Sequence, residues 1–500
     1  MRKADDGFVN NNTGATSSPG GKWKSIDWVK AENEVKRLQI RIAEAARLGK
    51  MNKVKVLQRI LTRSYSAKLL AVRRVSSSKG SRTPGIDREV WKTPAMKMKS
   101  VMDLYPVGYK AKPLRRIKIP KKNGKFRKLG IPCISDRAMQ ALYLLALEPV
   151  GETTADHNSY GFRPKRGCRD AIAQCFLSLS KSYSPRWVLD ADIKACFDWI
   201  DHDWLLENIP IEKKILRQWL KIGYIQKGKL FPTQAGTPQG GIISPLLANM
   251  ALDGMEALVK KHNKRGMKLN FIRYADDFCV TAEQKETLED IIIPELKAFL
   301  SVRGLELSEE KTQIVNIEDG FDFLGQTMCK FRGNKLITQP SKESIRIHLD
   351  KVRSTIKLYG GKNAEFLIKK LSPVIRGWSN YHRFVQSGKA YYRCQYLTNG
   401  YLMKWAKRCN GSKTPKWLRN HFWGKSRDKR HFSCLSIKDG KPYVRSLFYH
   451  PEVGQARYIK IRGSANPYSK KDKEYFAMRE RCSNYTRLES RRILPLVYSK

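Results

Sequence analysis

The stretch 271-FIRYADDFCV-280 sets two apolar runs on either side of an acidic pair. Read as a hairpin, it carries Asp276 and Asp277 at the tip of a tight turn between buried strands. A lone Asp-Asp pair there is ordinarily a solvated turn, because Asp favours turns through its own backbone hydrogen bonds. A second stretch, 188-VLDADIKACFDW-199, changes that weighting by setting carboxylates at the end of another apolar run. Two-metal phosphoryl transfer needs carboxylates from separate elements converging on Mg²⁺ ions roughly 3.5 to 4 Å apart. Asp192 and Asp276 meet that need. Asp190 shares a strand face with Asp192, and the pattern leaves both as candidates. Asp198 and Asp201 read as surface or helix-capping acids.

Outward from these two sites, from 88 to 335, short β-like runs alternate with helices, which predicts an α+β domain. Its best strand candidates are Arg186 to Asp190 and Lys268 to Tyr274. Helices are expected at 135 to 148, with Ala138, Ala141, Leu142, Leu145 and Ala146 on one face, and at 244 to 260 behind Pro245. Upstream, residues 1 to 21 are rich in Asn, Ser, Thr and Gly and read as a disordered leader. Residues 22 to 87 form a helical N-terminal extension: one basic amphipathic segment carries Val35, Leu38, Ile42 and Ala45, a second spans about 51 to 75, and a Gly/Ser/Pro break at 76 to 87 closes it. After Pro340, helices are expected at 341 to 358 and 364 to 371.

The 500 residues carry a formal charge of +51, with 97 Lys and Arg against 46 Asp and Glu. Such an excess repels itself unless a polyanion neutralises it, so nucleic acid is the leading partner. Residues 331 to 500 hold 39 Lys and Arg against 10 Asp and Glu, and aromatic side chains are interleaved with this charge at 377 to 384 and 416 to 432. Flat rings beside cations suit bases and phosphates, although Trp378 reads better as a core residue. The ten cysteines form no C-x-x-C pair, which disfavours a zinc site or disulfide framework and suits a reduced, cytoplasmic compartment. No apolar run approaches a membrane span, and the start lacks the apolar core of a secretory signal.

Seven motifs then follow in order: 115-RRIKIPKKNGKFRKLGIPCISDR-137, 159-SYGFRPKRGCRDAI-172, 189-LDADIKACFDWIDH-202, 236-GTPQGGIISPLLANMALD-253, 274-YADD-277, 307-LSEEKT-312 and 321-FDFLGQ-326. In this order they resemble the group II intron-encoded reverse transcriptases, over nearly the whole chain from about 23 to 480. The resemblance implies a right-hand polymerase with fingers and palm at 88 to 335. Asp192, Asp276 and Asp277 would be the catalytic acids that bind two Mg²⁺ ions. Phe197 resembles the steric gate that favours dNTPs. Lys121 and Arg127 match fingers cations that hold the triphosphate, and Lys311 resembles a lysine near it. Gln239 lies in the Gly-rich turn 236 to 241, where backbone can approach a nucleotide.

Further on, 369-KKLSPVIRGWSNYHRFV-385 resembles the thumb or maturase motif of the same family, giving a helical thumb/maturase domain at 336 to 430. It implies binding to a group II intron RNA, which is both splicing substrate and template, with a DNA target supplying the primer. Nucleic-acid contacts are expected from Arg376, Tyr381, Arg383, Lys416, Arg419 and Lys425. Residues 431 to 500 read as a basic DNA-binding region ending in a nuclease-domain remnant. There 465-ANPYSKKDKEYFAMRERC-482 resembles the lead-in to an H-N-H domain whose paired cysteines and histidines do not follow. Three rivals stand beside this reading: a related polymerase serving defence or repair, a non-enzymatic RNA-binding splicing factor, and an RNA-dependent RNA polymerase, which Phe197 and the maturase-like motif disfavour.

Overall fold

The computed structural model describes residues 19–482 apart from 121–123, 125, 332–334, 362 and 425–430. The expected leader therefore falls outside it, except that 19–21 already belong to the helix Pro19–Lys24. In the helix Trp28–Arg47, capped by the Asp27 carboxylate on Lys30 N, the stripe Val35, Ile42 and Ala45 is buried as its spacing predicts. The second segment is not continuous. It breaks at Ser64, whose extended backbone (φ −64°, ψ 132°) separates Met51–Arg63 from Tyr65–Ser77 and lets both pack on one central helix.

That central helix, Ile134–Thr154, runs six residues beyond its expected end and is buried nearly all round, so the one-face reading was too narrow. Its buried polar side chains are tolerated because they are tied to partners, with Arg137 Nε left over. Arg137 donates to the carbonyls of Gly80 (2.8 Å) and Thr83 (2.7 Å), Asp136 accepts from the Tyr109 hydroxyl, and Glu152 takes a two-pronged bond from Arg163 at 2.8 and 3.0 Å. The expected helix 244–260 is also two, Ser244–Leu252 and Met255–Lys261. Between them Gly254 takes φ +106°, and the Asp156 carboxylate accepts its N–H at 3.1 Å and that of Glu256 at 3.2 Å.

The central sheet is antiparallel, with strands in the order Asn270–Tyr274, Asp277–Ala282, Trp187–Asp192, Gln313–Asn316. Both strands anticipated from sequence are present, shifted by one or two residues. The helix Cys168–Leu179 backs this sheet. A second sheet pairs Leu114–Pro120 with Phe126–Ile131 and Tyr224–Gln226.

Beyond Pro340 the helices Lys342–Leu358, Ala364–His382, Gly388–Cys409 and Pro415–Phe422 enclose a core of Leu367, Leu371, Leu402, Trp405, Phe422 and Phe432. The helix expected to end at 371 continues through Pro373 to His382. Trp378 is half-buried, stacked on His348 at 4.4 Å between ring centres, and His382 and His450 close around it. No helix among the described residues is long and apolar enough to cross a membrane.

Part of the region read as a basic tail has a different place. Ile459, Ile461, Ala465, Tyr475 and Phe476 share one core with Tyr160, Cys175, Ile272 and Cys279 behind the central sheet. The Asp170 carboxylate fastens this arm, accepting from Ile461 N and from the Arg479 guanidinium, both at 2.8 Å. Lys36 of the N-terminal layer donates to Pro467 O at 2.6 Å. The apolar positions of the arm are spaced among Lys and Arg, which is why composition alone read it as an open basic surface.

Burial pushes His348 down to about 4 and His382 and His450 down to about 3. These rings stay neutral in the folded chain while the unfolded chain takes up protons below about 6.5. The C-terminal helical unit should therefore lose stability as pH falls from 6.5 toward 4, each histidine withdrawing up to about 1.4 kcal/mol per pH unit. Hydrogen exchange, corrected for intrinsic rates, should show weaker protection of Ala364–His382 at pH 5 than at pH 7.5; equal protection would refute the effect.

Candidate active site

Strand pairing places Asp192 directly opposite Asp277, and Tyr274 opposite Asp277 closes the hairpin. Ala275 and Asp276 are thus its two-residue turn. Ala275 takes φ +59°, the left-handed conformation that such turns require at their first central position. Asp276 O accepts from Ile193 N at 3.3 Å, and Asp192 O accepts from Ser308 N at 2.8 Å, so three separate segments are tied together at the acids. Asp190 lies further down the strand, opposite Cys279, and accepts from the Gln313 side chain at 3.4 Å. Geometry therefore brings Asp192 rather than Asp190 to the acidic pair. Asp201 caps the helix His202–Asn208 by accepting from Trp204 N at 2.6 Å, in keeping with its expected role.

The acids are crowded and short of compensating charge. Loss of hydration, then the carboxylates of Asp276 and Asp192, push Asp277 up to about 7. Asp276 is raised by burial and by Asp192, with Lys311 and Arg127 pulling it back. Lys311 forms an ion pair with Asp192, and that bond raises the lysine. Among the described residues no three His, Cys, Asp or Glu side chains are gathered closely enough to hold an ion by themselves. A set of hard carboxylate oxygens on two neighbouring strands nevertheless suits a hard divalent cation.

Two of the expected nucleotide-binding residues meet: Arg127 Nε donates to Gln239 Oε1 at 2.9 Å, while Gly130 N donates to Gln239 O at 3.0 Å. The other end of this loop is stitched beneath Phe197. Thr237 N donates to Phe197 O at 2.7 Å, Gly236 N to Ile200 O at 2.8 Å, and the buried His202 ring bonds Gly236 O at 2.8 Å. Phe197 is half-buried and meets Phe162 edge-on at 6.2 Å. Lys121 lies outside the described residues.

Of the expected nucleic-acid contacts, Arg376 is exposed over the Phe448 ring and Arg383 is half-buried beside Phe384. Lys416 and Arg419 are exposed on one short helix. The Tyr381 hydroxyl donates to Leu324 O at 2.7 Å, so its polar end is spent within the protein. Lys425 falls outside the described residues. Sequence reading did not single out Tyr392 and Tyr396, which are 61% and 78% exposed on the helix Gly388–Cys409 beside Lys389 and Arg393. Their i, i+4 spacing was the available signal.

Gly236 sits at φ +82°, and a Cβ there would lie 2.5 Å from the Asp198 carbonyl. Gly236→Ala should cost about 2 kcal/mol or more from backbone strain and collision. Calorimetry should register it as a melting point lowered by several degrees; an unchanged one would refute the close packing.

Three family descriptions match the chain in succession. They are the N-terminal domain of reverse transcriptase at 23–104, reverse transcriptase (RNA-dependent DNA polymerase) at 119–328, and the group II intron maturase-specific domain at 345–423. Protein YkfC of Escherichia coli is 32% identical over 305 residues, covering 52% of this chain and 80% of that protein. Group II intron-encoded protein LtrA of Lactococcus lactis is 30% identical over 325 residues, 51% of this chain and 54% of LtrA, so the chain spans about half that relative's length. Maturase-like protein 1 of Euglena longa is 26% identical, covering 72% of this chain and 78% of that protein. Among solved structures, telomerase from Candida albicans in complex with a telomeric RNA fragment is similar at a TM-score of 0.37 and 13% identity, over 62% of this chain and 61% of that one. With the polymerase and maturase-specific domains following one another as the motifs do, the chain belongs to the group II intron-encoded reverse transcriptases.

Proposed function

We propose that the chain is an RNA-directed DNA polymerase that also binds a group II intron RNA, promotes its splicing and copies it from a DNA primer at a target site. The observation that carries this reading is the register that sets Asp192 opposite Asp277, with Asp276 in the turn between the paired strands. An intact set of three acids argues against a binding-only scaffold. In right-hand terms, 22–87 is the helical extension, 88–335 the fingers and palm, and 336–430 the thumb. Of the proposed basic region 431–500, the described residues 431–482 combine a basic surface with the arm behind the palm.

Asp192, Asp276 and Asp277 would hold two Mg²⁺ ions, which when bound lower the pKa of the attacking 3′-hydroxyl and stabilise the leaving pyrophosphate. The remaining work belongs to the chain's own groups. Arg127 is oriented by Gln239 and reaches Asp276 electrostatically, so with Lys311 it would offer cations to a triphosphate. Phe197, whose carbonyl accepts from Thr237 N, would set its ring against a ribose 2′-hydroxyl. Arg376, Lys416 and Arg419 supply exposed cations for RNA phosphates.

Primer extension on an RNA template with Mg²⁺, run with dNTPs and separately with rNTPs, tests the reading. The chain should extend with dNTPs alone, and extension with rNTPs would overturn the role of Phe197. Asp276→Ala should reduce extension at least about 100-fold, while RNA affinity stays within about twofold because the binding charge lies elsewhere. Full extension by that variant would sink the site assignment.

Protonation supplies a second test. Since Asp277 sits near 7 and Asp276 is raised, a cation arriving below pH 7 must displace a proton. The half-saturating Mg²⁺ concentration should then rise by about tenfold for each pH unit below 7. Mg²⁺ titrations of extension at pH 8 and pH 6 read this directly, and coincident curves would contradict it.

A further inference from the structure

Arg273 lies three residues before Asp276 and is fully buried, at 0% exposure. A guanidinium is costly there unless its donors are spent. Its two terminal nitrogens are spent, although Nε finds no partner among the described residues. Nη1 donates to Asn249 Oδ1 at 3.2 Å and to Ala275 O at 3.4 Å, while Nη2 donates to Asp253 Oδ1 at 2.7 Å. Asn249 and Asp253 stand at the end of the helix Ser244–Leu252, so Arg273 ties that end to the turn residue whose backbone is left-handed.

A second constraint meets the same residue. Arg273 N donates to Asn158 O and Tyr160 N donates to Arg273 O, both at 2.9 Å, which lays residues 158–160 beside the strand. Gly161 then abuts Ala275: a Cβ added to it would lie 2.4 Å from Ala275 N. The Asn249 amide closes the ring by donating to Gly161 O at 2.7 Å. Ala275 is thus enclosed by Gly161 on one side and by the Arg273 guanidinium on the other, and Asp276 and Asp277 follow it directly in the chain.

We infer that Arg273 is a positioning residue: braced on Asn249 and Asp253, its guanidinium holds the Ala275 carbonyl and so fixes the turn that presents Asp276 and Asp277 to divalent cations. The inference rests on the proposed role of those acids as metal ligands. A buried arginine that served stability alone could be exchanged, with its acid partner, for neutral side chains without functional cost. One that positions the turn could not.

The test is the pair Arg273→Met and Asp253→Asn in one chain, which removes both charges together so that the Asp253 carboxylate is not left without its partner, while Asp156 keeps its backbone N–H donors. Mn²⁺ binding by electron paramagnetic resonance, steady-state primer extension and thermal melting are measured beside the wild type. The double variant should melt within a few degrees of wild type, bind Mn²⁺ at least about tenfold more weakly and lose kcat to a similar extent. Its KM for primer-template should change less than about twofold, because the nucleic-acid surface is untouched. A folded double variant with wild-type Mn²⁺ affinity and kcat would overturn the inference. Should the double variant fail to fold, Asn249→Ser removes the bridging amide without altering charge and must show the same weakened Mn²⁺ binding; wild-type affinity there would overturn it equally. A wild-type chain that binds Mn²⁺ but extends no primer would refute the polymerase reading instead, leaving the positioning role to be judged on Mn²⁺ affinity.

Discussion

The pairing of Trp187–Asp192 with Asp277–Ala282 sets two carboxylates directly opposite each other on adjacent strands. Like charges in that position weaken a sheet, so the surroundings must hold the register against the acids' own repulsion. Val188, Leu189 and Ala191 on one strand and Phe278, Cys279 and Val280 on its partner are all buried. A slip of one residue would turn side chains shaped for the core on one face toward the different core on the other. The apolar flanks of the two acidic motifs therefore hold together what electrostatics would push apart, and the loops around them inherit their positions from that frame.

Charge is distributed in keeping with this. The chain is strongly basic as a whole, yet its proposed catalytic centre is an acidic island, with Lys311 on Asp192 and Arg127 reaching Asp276 from the neighbouring sheet. The larger cationic excess lies after residue 331, where Arg376, Lys416 and Arg419 are exposed. Separating the two would let a polyanion bind over a wide surface without neutralising the few carboxylates proposed to carry the chemistry.

Much of this was legible in the sequence, for identifiable reasons. The acidic hairpin announces itself because apolar runs on both sides of Asp276 and Asp277 leave the chain nowhere else to turn, and the capping role of Asp201 follows from its place before a helix. Other features depend on tertiary contacts that no local pattern carries. The break at Gly254 exists because Asp156, almost a hundred residues earlier, captures the freed N–H groups. The cluster of His348, His382 and His450 is assembled from three distant segments. Arg273 reads as one more cation in a basic chain until its burial is known, and the arm at 459–476 is hidden by the charges beside its apolar positions.

The arm also bears on when the protein can begin to work. The central sheet is complete once residue 316 has been made, but the core behind it waits for Ile459, Ile461, Tyr475 and Phe476. At ordinary synthesis rates of about 5 to 20 residues per second, that interval lasts on the order of 10 to 30 s. During it, the nascent chain holds its acidic hairpin against an unfinished wall. Late closure by the arm therefore makes the backing of the acidic hairpin depend on residues made some 140 or more positions after the sheet itself.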